Sequence, residues 1–359
     1  MMRRLYLFGI LVFFSAKSFS QQTATCAQTL RLARATYEQG RLHEIESQLK
    51  NCLESGFTKD EKQLKVEGYK ILCLSYIYLE EPEKADEAML NLKKTDPYFT
   101  PNPQVDPAEF VALFNTFRKD PIYRIGAKLG GNFSRPNVQE FVSAVELAED
   151  SEFKPSFGLQ FGAAADFPMF KRLTLHTELL YLQHRYEIDQ KVDRTDPATG
   201  ETLSNEFTGI ETQTWLNLPI TVEYAYLNPD SKLHKKLSPY LALGISVSYL
   251  LNAKITAERQ REGESSIPES AIDVEREKLN LGVIASTGIK YKIAAGLFVA
   301  DVRYIYGLTN VSSSETAFGN QRLLWEYGYA DPIFKMGSFG LTLSYVQDIF
   351  KPKKLKKKK

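Results

Sequence analysis

Charged and polar residues recur at every second position in several segments of the C-terminal two-thirds of the chain. Successive side chains of a β-strand point to opposite faces, so residues of one parity share a face. The polar face of these segments carries acids, bases and a histidine: Arg124, Lys128, Gln160, His176, Glu178, Glu223, Lys290, Asp301 and Arg303. Such a set could form an ion path, a catalytic cluster or a structural network of ion pairs.

We predict the structural network. Buried charges must be paired, because an unpaired buried ion costs several kcal/mol, and positive and negative residues in this set are roughly matched. The predicted network consists of Arg124, Lys128, Glu178, Glu223, Asp301 and Arg303. The sequence contains no Gly-x-Ser-x-Gly, no His-Glu-x-x-His and no carboxylate pair at a loop base. We therefore expect no enzymatic activity, no catalytic residue and no cofactor.

The three cysteines lie outside these segments, at Cys26, Cys52 and Cys73. If two helices fold back about Gly40, Cys26 and Cys52 meet at the open end of one hairpin. In an exported chain this spacing predicts a disulfide; the alternative is two buried thiols. Cys73 lies among apolar residues and is predicted to be a core residue. No Cys-x-x-Cys or Cys/His cluster indicates a metal site.

Eight segments show the alternation that places polar and apolar residues on opposite faces. In the segment from Pro239 to Leu251, Leu and other large residues hold one parity, and Gly, Ser and Ala hold most of the other. An apolar face and a face of small residues predict a small transmembrane barrel with lipid outside and a tight lumen. The predicted strands are 122–134, 154–167, 171–186, 209–227, 238–257, 278–292, 296–309 and 335–349.

The connections between these strands alternate in length. The long, polar ones are 135–153, 187–208, 258–277 and 310–334. Outer-membrane barrels have short periplasmic turns, long external loops and an even strand number. Eight strands place both ends of the barrel on the short-turn side, so the preceding domain is predicted to be periplasmic.

The first 20 residues have the arrangement of a secretory signal peptide. Arg3 and Arg4 precede an apolar stretch from Leu5 to Phe14. Ser18 and Ser20 then supply the small residues of a signal-peptidase cleavage site. The apolar stretch is about ten residues, against roughly twenty for a spanning helix. An uncleaved anchor and a lipoprotein acylated at Cys26 are the alternatives.

Residues 21–119 have helical periodicity. Apolar residues recur at helical spacing in five segments of about twelve to eighteen residues, which predicts antiparallel helical hairpins. Tyr37-Glu-Gln-Gly40 and Ala85-Asp-Glu-Ala88 resemble tetratricopeptide-type hairpins over roughly two repeats. The fold class is therefore α+β and multidomain: signal peptide 1–20, helical domain 21–119, barrel 120–350 and basic tail 351–359.

Charge excludes one class of partner. The formal net charge of +1 argues against a nucleic-acid binder. A mean hydropathy of -0.29 does not exclude a barrel, because lumen-facing residues dilute the apolar ones. The lysine-rich tail from Lys351 to Lys359 is predicted to be solvated and disordered.

Two segments carry a family resemblance. Ile125-Gly-Ala-Lys-Leu-Gly-Gly-Asn-Phe-Ser134 resembles the opening strand of PorT-like outer-membrane β-barrel proteins of Bacteroidetes-type bacteria. Ser338 to Tyr345 fits the pattern that assembly machinery reads in a last barrel strand. The resemblance covers about 122–349 and implies an outer-membrane location; some PorT-like proteins are implied in secretion. The helical domain before the barrel and the lysine tail after it depart from the commonest form of PorT-like proteins.

Three functions are compatible with these features. The favoured one is a non-enzymatic barrel, embedded in outer-membrane lipid, that anchors a periplasmic helical module binding an envelope protein and supports secretion or envelope assembly. The second is a small channel or ligand carrier, and the third is an outer-membrane hydrolase.

Overall fold

The computed structural model describes residues 20–142, 151–195, 202–227, 231, 236–259, 267–293, 295–321, 323 and 329–355. Apart from Ser20, the predicted signal peptide lies outside the described residues, as do lysines 356–359. The chain divides into two compact units. One is Pro121–Ile349; the other contains the chain through Asp120 together with the segment that starts at Phe350.

The described part of the first unit contains five α-helices: α1 (Ser20–Glu38), α2 (Ile45–Asn51), α3 (Lys62–Tyr78), α4 (Pro82–Thr95) and α5 (Ala108–Asn115). None of these helices combines the length and hydrophobicity that a membrane span requires. Gly40 ends the first hairpin helix in the left-handed region, at a φ of 76° that glycine adopts without a Cβ penalty. Pro82 begins α4 at a first-turn position, where its missing N–H is not needed.

Two apolar cores hold these helices together. Leu30 and Ala33 of α1 pack with Ile45 and Leu49 of α2. The other core joins α3, α4 and α5, and buries Met89, Leu92 and Phe110 completely. The apolar residues that recur at helical spacing in the sequence are therefore the residues that these helices bury.

The C-terminal tail differs from its prediction. Residues from Phe350 to Leu355 are exposed for the most part, as predicted, but they are ordered and belong to the helical unit. The Leu355 N–H donates to the Thr116 carbonyl at 2.8 Å, and the Arg118 N–H donates to the Lys353 carbonyl at 3.0 Å. Lys354 also forms an ion pair with Asp86. The charge pattern gave no indication that backbone pairing would order this segment.

The residues that the structure describes in the second unit form nine antiparallel strands. They are β1 (Tyr123–Glu140), β2 (Glu152–Pro168), β3 (Leu173–Thr195), β4 (Thr202–Ala225), β5 (Leu237–Arg259), β6 (Ile267–Ala271), β7 (Leu279–Ile293), β8 (Gly296–Gly307) and β9 (Ile333–Ile349). Eight of them close a ring, because β1 pairs with β9 and β4 pairs with β5. The predicted eight-stranded ring is confirmed.

The additional strand, β6, was not predicted. It pairs with residues 254–257 of β5, beyond the point where the pairing of β5 with β7 ends at Tyr249. The strands β1, β3, β4 and β5 also run further than predicted, so parts of the expected loops 135–153, 187–208 and 258–277 are strand. Apolar and polar residues alternate less clearly in these extensions, so the sequence there resembles that of polar loops.

Both ends of the barrel lie at one rim, since Tyr123 at the start of β1 pairs with Ile349 at the end of β9. The connection between β2 and β3, from Met169 to Arg172, is at this same rim. The β1–β9 seam is tight: a Cβ on Gly126 would lie 1.7 Å from the carbonyl oxygen of Tyr345. Glycine is required there by close backbone approach.

The two faces of the barrel follow the predicted parity. On β5, Leu241, Leu243 and Ile245 are exposed on the outside, whereas Ala242 and Ser246 are buried inside. Exposed and buried residues alternate in the same way along the other strands of the ring.

Candidate functional site

The lumen contains a network of buried ion pairs nearest the rim where the chain enters and leaves. The ammonium group of Lys128 lies 2.6 Å from Glu178 and 2.8 Å from Asp301. Arg303 donates through two nitrogens to both oxygens of Glu178, at 2.6 and 2.8 Å, and through Nε to Asp301 at 2.9 Å. Three strands, β1, β3 and β8, are thereby connected across the bore.

A second group of charges continues the first. His176 lies between two carboxylates: its Nδ1 is 2.5 Å from Asp166 and its Nε2 is 2.6 Å from Glu178. Lys290 lies 3.0 Å from Asp166 and also contacts Glu223. Glu223 is therefore linked to Glu178 through Lys290, Asp166 and His176.

The geometry around His176 requires a doubly protonated ring. Ionised carboxylates only accept hydrogen bonds, so both ring nitrogens must donate. With His176 charged, four cations (Lys128, His176, Lys290 and Arg303) face four anions (Asp166, Glu178, Glu223 and Asp301). The lumen network is then neutral, as burial requires.

Arg124 is outside this network, contrary to prediction. It pairs with Asp348 of β9 at 2.7 Å, because Arg124 and Asp348 are direct cross-strand partners at the rim. Sequence reasoning missed Asp166 and Asp348, although both have the lumen-facing parity of their strands. Gln160, the remaining uncharged member of the predicted set, donates to the Gly131 carbonyl at 3.1 Å.

Asp166, His176 and Glu223 could in principle hold a metal ion, since one ligand atom from each lies within 4.8 Å of the others. The position between Asp166 and Glu223 is occupied by the ammonium group of Lys290. A cation of the chain itself therefore already neutralises these carboxylates.

An uncharged polar layer lies further along the bore. Ser134 Oγ is 2.6 Å from Nδ1 of His184 and 2.7 Å from Oδ1 of Asn132. Across the lumen, Asn217 donates to Ser246 and Ser248. A serine beside a histidine is one element of nucleophilic catalysis. Here both side chains are buried among other lumen side chains.

The half of the lumen nearest the opposite rim is filled by an apolar core. Trp215, Tyr186 and Phe334 are completely buried there. Connecting segments between strands contribute Ile272, Val311, Leu323 and Tyr329 to the same core. Loop residues thus close this half of the barrel from within.

A buried arginine is embedded in this core. Arg276, between β6 and β7, forms paired hydrogen bonds to Glu211 at 2.6 and 2.8 Å and to Asp331 at 2.8 and 2.9 Å. Burial opposes its charge, but the charges of Asp331 and Glu211 outweigh burial and raise the pKa of Arg276 well above its usual range. Strand alternation could not indicate that Arg276 pairs with these two acids, because Arg276 and Asp331 lie in connecting segments.

The comparisons with known proteins agree with this architecture. A family model described as "Outer membrane protein beta-barrel domain" matches residues 120–313. The chain belongs to this family. Its barrel is therefore an outer-membrane barrel, and the exposed apolar face of the ring is the face in contact with lipid.

Solved structures of small outer-membrane barrels are similar at low identity. Neisserial surface protein A is 13% identical, over 63% of this chain and 97% of its own, with a TM-score of 0.29. OprG from Pseudomonas aeruginosa is 9% identical, over 64% and 95%, with a TM-score of 0.27. AlkL in lipid bilayers is 9% identical, over 70% and 99%, with a TM-score of 0.33. No curated protein matches the sequence.

In the helical unit, Cys26 and Cys52 form a disulfide with a Cα–Cα distance of 5.5 Å. It connects α1 to the turn that follows α2, as the hairpin about Gly40 requires. Cys73 is a free, buried thiol, and burial raises its pKa to about 12. A thiol of that pKa is unreactive at neutral pH.

Proposed function

We propose that this protein is a non-enzymatic outer-membrane anchor of the PorT-like type, which holds a helical interaction module in the periplasm. The observation that carries the proposal is the filled lumen. An ion-pair network occupies one half of the bore and an apolar core with a buried arginine occupies the other. A barrel filled in this way supports anchoring better than conduction.

The chain topology supports a periplasmic module. The described short connection from Met169 to Arg172 lies at the rim where β1 begins and β9 ends. Short turns of outer-membrane barrels face the periplasm. The helical unit precedes β1 in the chain and belongs on that side.

The helical unit has features of a protein-binding module. Its hairpins resemble tetratricopeptide repeats in length and in the short connection between α3 and α4. Leu32 on α1 and Tyr78 at the end of α3 expose about half of their surface. These residues are suited to contact an envelope protein engaged in secretion or envelope assembly.

Two measurements test the proposal. Photo-crosslinking groups at Leu32 and Tyr78, in intact cells, should capture a discrete envelope protein, whereas the same group at the lipid-facing Leu243 should not. The unmodified protein in planar bilayers should give no sustained current. Sustained ion-selective currents would show that the barrel is a channel and not only an anchor. Capture at Leu243 alone would contradict the proposed role of the helical module in binding a protein partner.

A further inference from the structure

The C-terminal segment Phe350–Leu355 lies on the helical unit in the manner of an added strand. The Leu355 N–H donates to the Thr116 carbonyl at 2.8 Å, and the Arg118 N–H donates to the Lys353 carbonyl at 3.0 Å. These two hydrogen bonds flank an antiparallel bridge. The residues that directly follow α5 therefore hold an extended segment by backbone pairing, which does not depend on the side chains of that segment.

Two side chains of the C-terminal segment add to this pairing. Lys354 forms an ion pair with Asp86 of α4. The ring of Phe350 packs edge-on against Tyr98, with the two ring centroids 5.0 Å apart. The surface thus combines backbone groups for an extended chain, a carboxylate for a lysine and a ring for an aromatic side chain.

The charges of the two surfaces are complementary. Asp86 belongs to an acidic stretch, since residues 80–87 contain five acids and one lysine, whereas residues 351–359 contain seven lysines and no acid. One carboxylate oxygen of Asp86 accepts Lys354, and the other is buried with no hydrogen-bond partner among the described residues. This carboxylate therefore has room for a second donor.

The C-terminal segment is held loosely enough to be displaced. Lys353, Lys354 and Leu355 are exposed, and Leu355 has 49% of its surface accessible. An exposed ion pair and a backbone hydrogen bond each contribute little net free energy in water. The segment remains attached to the chain through Ile349, the last residue of β9, so it binds with the effective concentration of a tethered ligand.

We propose that Thr116, Arg118 and Asp86 form a binding site for an extended, lysine-rich segment of the envelope partner, and that the chain's own C-terminal segment occupies this site in the unbound protein. The backbone groups of Thr116 and Arg118 pair with the main chain of the ligand, as in β-strand addition. Asp86 binds a lysine at the position of Lys354. The C-terminal segment is then an intramolecular competitor that the partner displaces. This inference rests on the proposed function for the existence of a partner, but the site can be tested on the purified protein.

The test uses the full-length protein in detergent and a fluorescein-labelled peptide with the sequence of residues 350–359. Binding is followed by fluorescence anisotropy. Leu355→Pro in the protein removes the N–H that donates to Thr116, which releases the C-terminal segment, and Leu355→Ala keeps that N–H as the matched control. A second peptide, N-methylated at the leucine, has the same charge but lacks the same N–H.

We expect Leu355→Pro to bind the peptide about tenfold more tightly than the unmodified protein does, which corresponds to a site occupied by its own segment in about nine of ten molecules. Leu355→Ala should bind like the unmodified protein. Adding Asp86→Asn to Leu355→Pro should remove most of the gain, whereas adding Glu83→Gln, at an exposed acid of the same stretch, should not. The N-methylated peptide should bind weakly to all variants. If Leu355→Pro does not fold, Lys354→Glu should release the segment through repulsion from Asp86.

Three results would overturn the proposal. The first is equal peptide binding by the unmodified protein and by the variants that release the segment, or no binding by any of them. The second is equal weakening by Asp86→Asn and Glu83→Gln, and the third is undiminished binding of the N-methylated peptide; both would show charge attraction without a defined site. Discrete crosslinks at Leu32 and Tyr78 together with any of these results would retain the partner and reject this site.

Discussion

Glu178→Gln should destabilise the barrel more than any other single charge removal in the lumen. Glu178 accepts hydrogen bonds from Lys128, from two nitrogens of Arg303 and from His176, all within 2.6–2.8 Å. The substitution keeps the side-chain volume but removes one of four anions, which leaves the network with an unbalanced positive charge. Breaking a buried ion pair by removing one partner costs about 3–5 kcal/mol.

The stability of the barrel can be followed by urea unfolding in lipid vesicles, with the fluorescence of its two tryptophans, which include the buried Trp215, as the signal. Glu152→Gln is the matched control, because Glu152 is exposed at the start of β2 and its contact with Lys154 is 3.7 Å long. The control should change the free energy of unfolding by less than about 1 kcal/mol.

A double variant separates charge balance from packing. Combining Glu178→Gln with Arg303→Gln restores the equality of cations and anions, so its cost should be smaller than the sum of the two single costs. If Glu178→Gln and Glu152→Gln lower stability equally, the lumen network does not contribute to stability as argued. Sustained conductance through Glu178→Gln alone would show that this carboxylate closes a pore.

Other substitutions test the lipid-facing face, the disulfide and the buried lysine. Leu243→Arg should cost about 2–4 kcal/mol of insertion free energy if it lies near the bilayer midplane; Ser246→Ala should insert normally, and equal insertion of both would contradict the face assignment. Replacing Cys26 and Cys52 by serine opens a loop with a sequence separation of 26 and should destabilise the helical unit by about 3.5 kcal/mol in the chain-entropy model. The loss should appear as a lower melting temperature at 222 nm with unchanged tryptophan fluorescence. Lys93 of α4 is buried beside the ring of Phe114. Because burial lowers the pKa of Lys93 to about 8, against about 10.4 for a lysine in water, the unfolded state binds more protons than the folded state between these two pKa values. The helical unit should therefore become more stable as pH rises from 8 towards 10, and Lys93→Met should abolish that rise.

The sequence was most informative where structure depends on local alternation. The parity of Lys128, Glu178 and Arg303 was enough to place these side chains in the lumen, since the pleat of a strand determines the direction of each side chain. The spacing of Cys26 and Cys52 about Gly40 indicated their pairing for a similarly local reason.

Contacts that depend on long-range register could not be derived in this way. Arg124 has the lumen-facing parity but pairs with Asp348, because the register of β1 against β9 places the two residues opposite each other. Arg276 lies in a connecting segment, and its partners Glu211 and Asp331 are far from it in sequence. The docking of Phe350–Leu355 also depends on backbone hydrogen bonds, which side-chain patterns do not encode.

The two halves of the lumen are filled by different means, and this difference bears on function. The lumen network lies nearest the rim where β1 begins and β9 ends, and it consists of strand residues whose positions are set by the barrel itself. The opposite half is filled largely by residues of connecting segments, with Arg276 held between two acids. Opening a path would require both withdrawal of these segments and separation of the ion pairs around Glu178. Since either change would leave buried charges without partners, an anchoring role for the barrel is consistent with both halves, and specific binding is better sought on the helical unit.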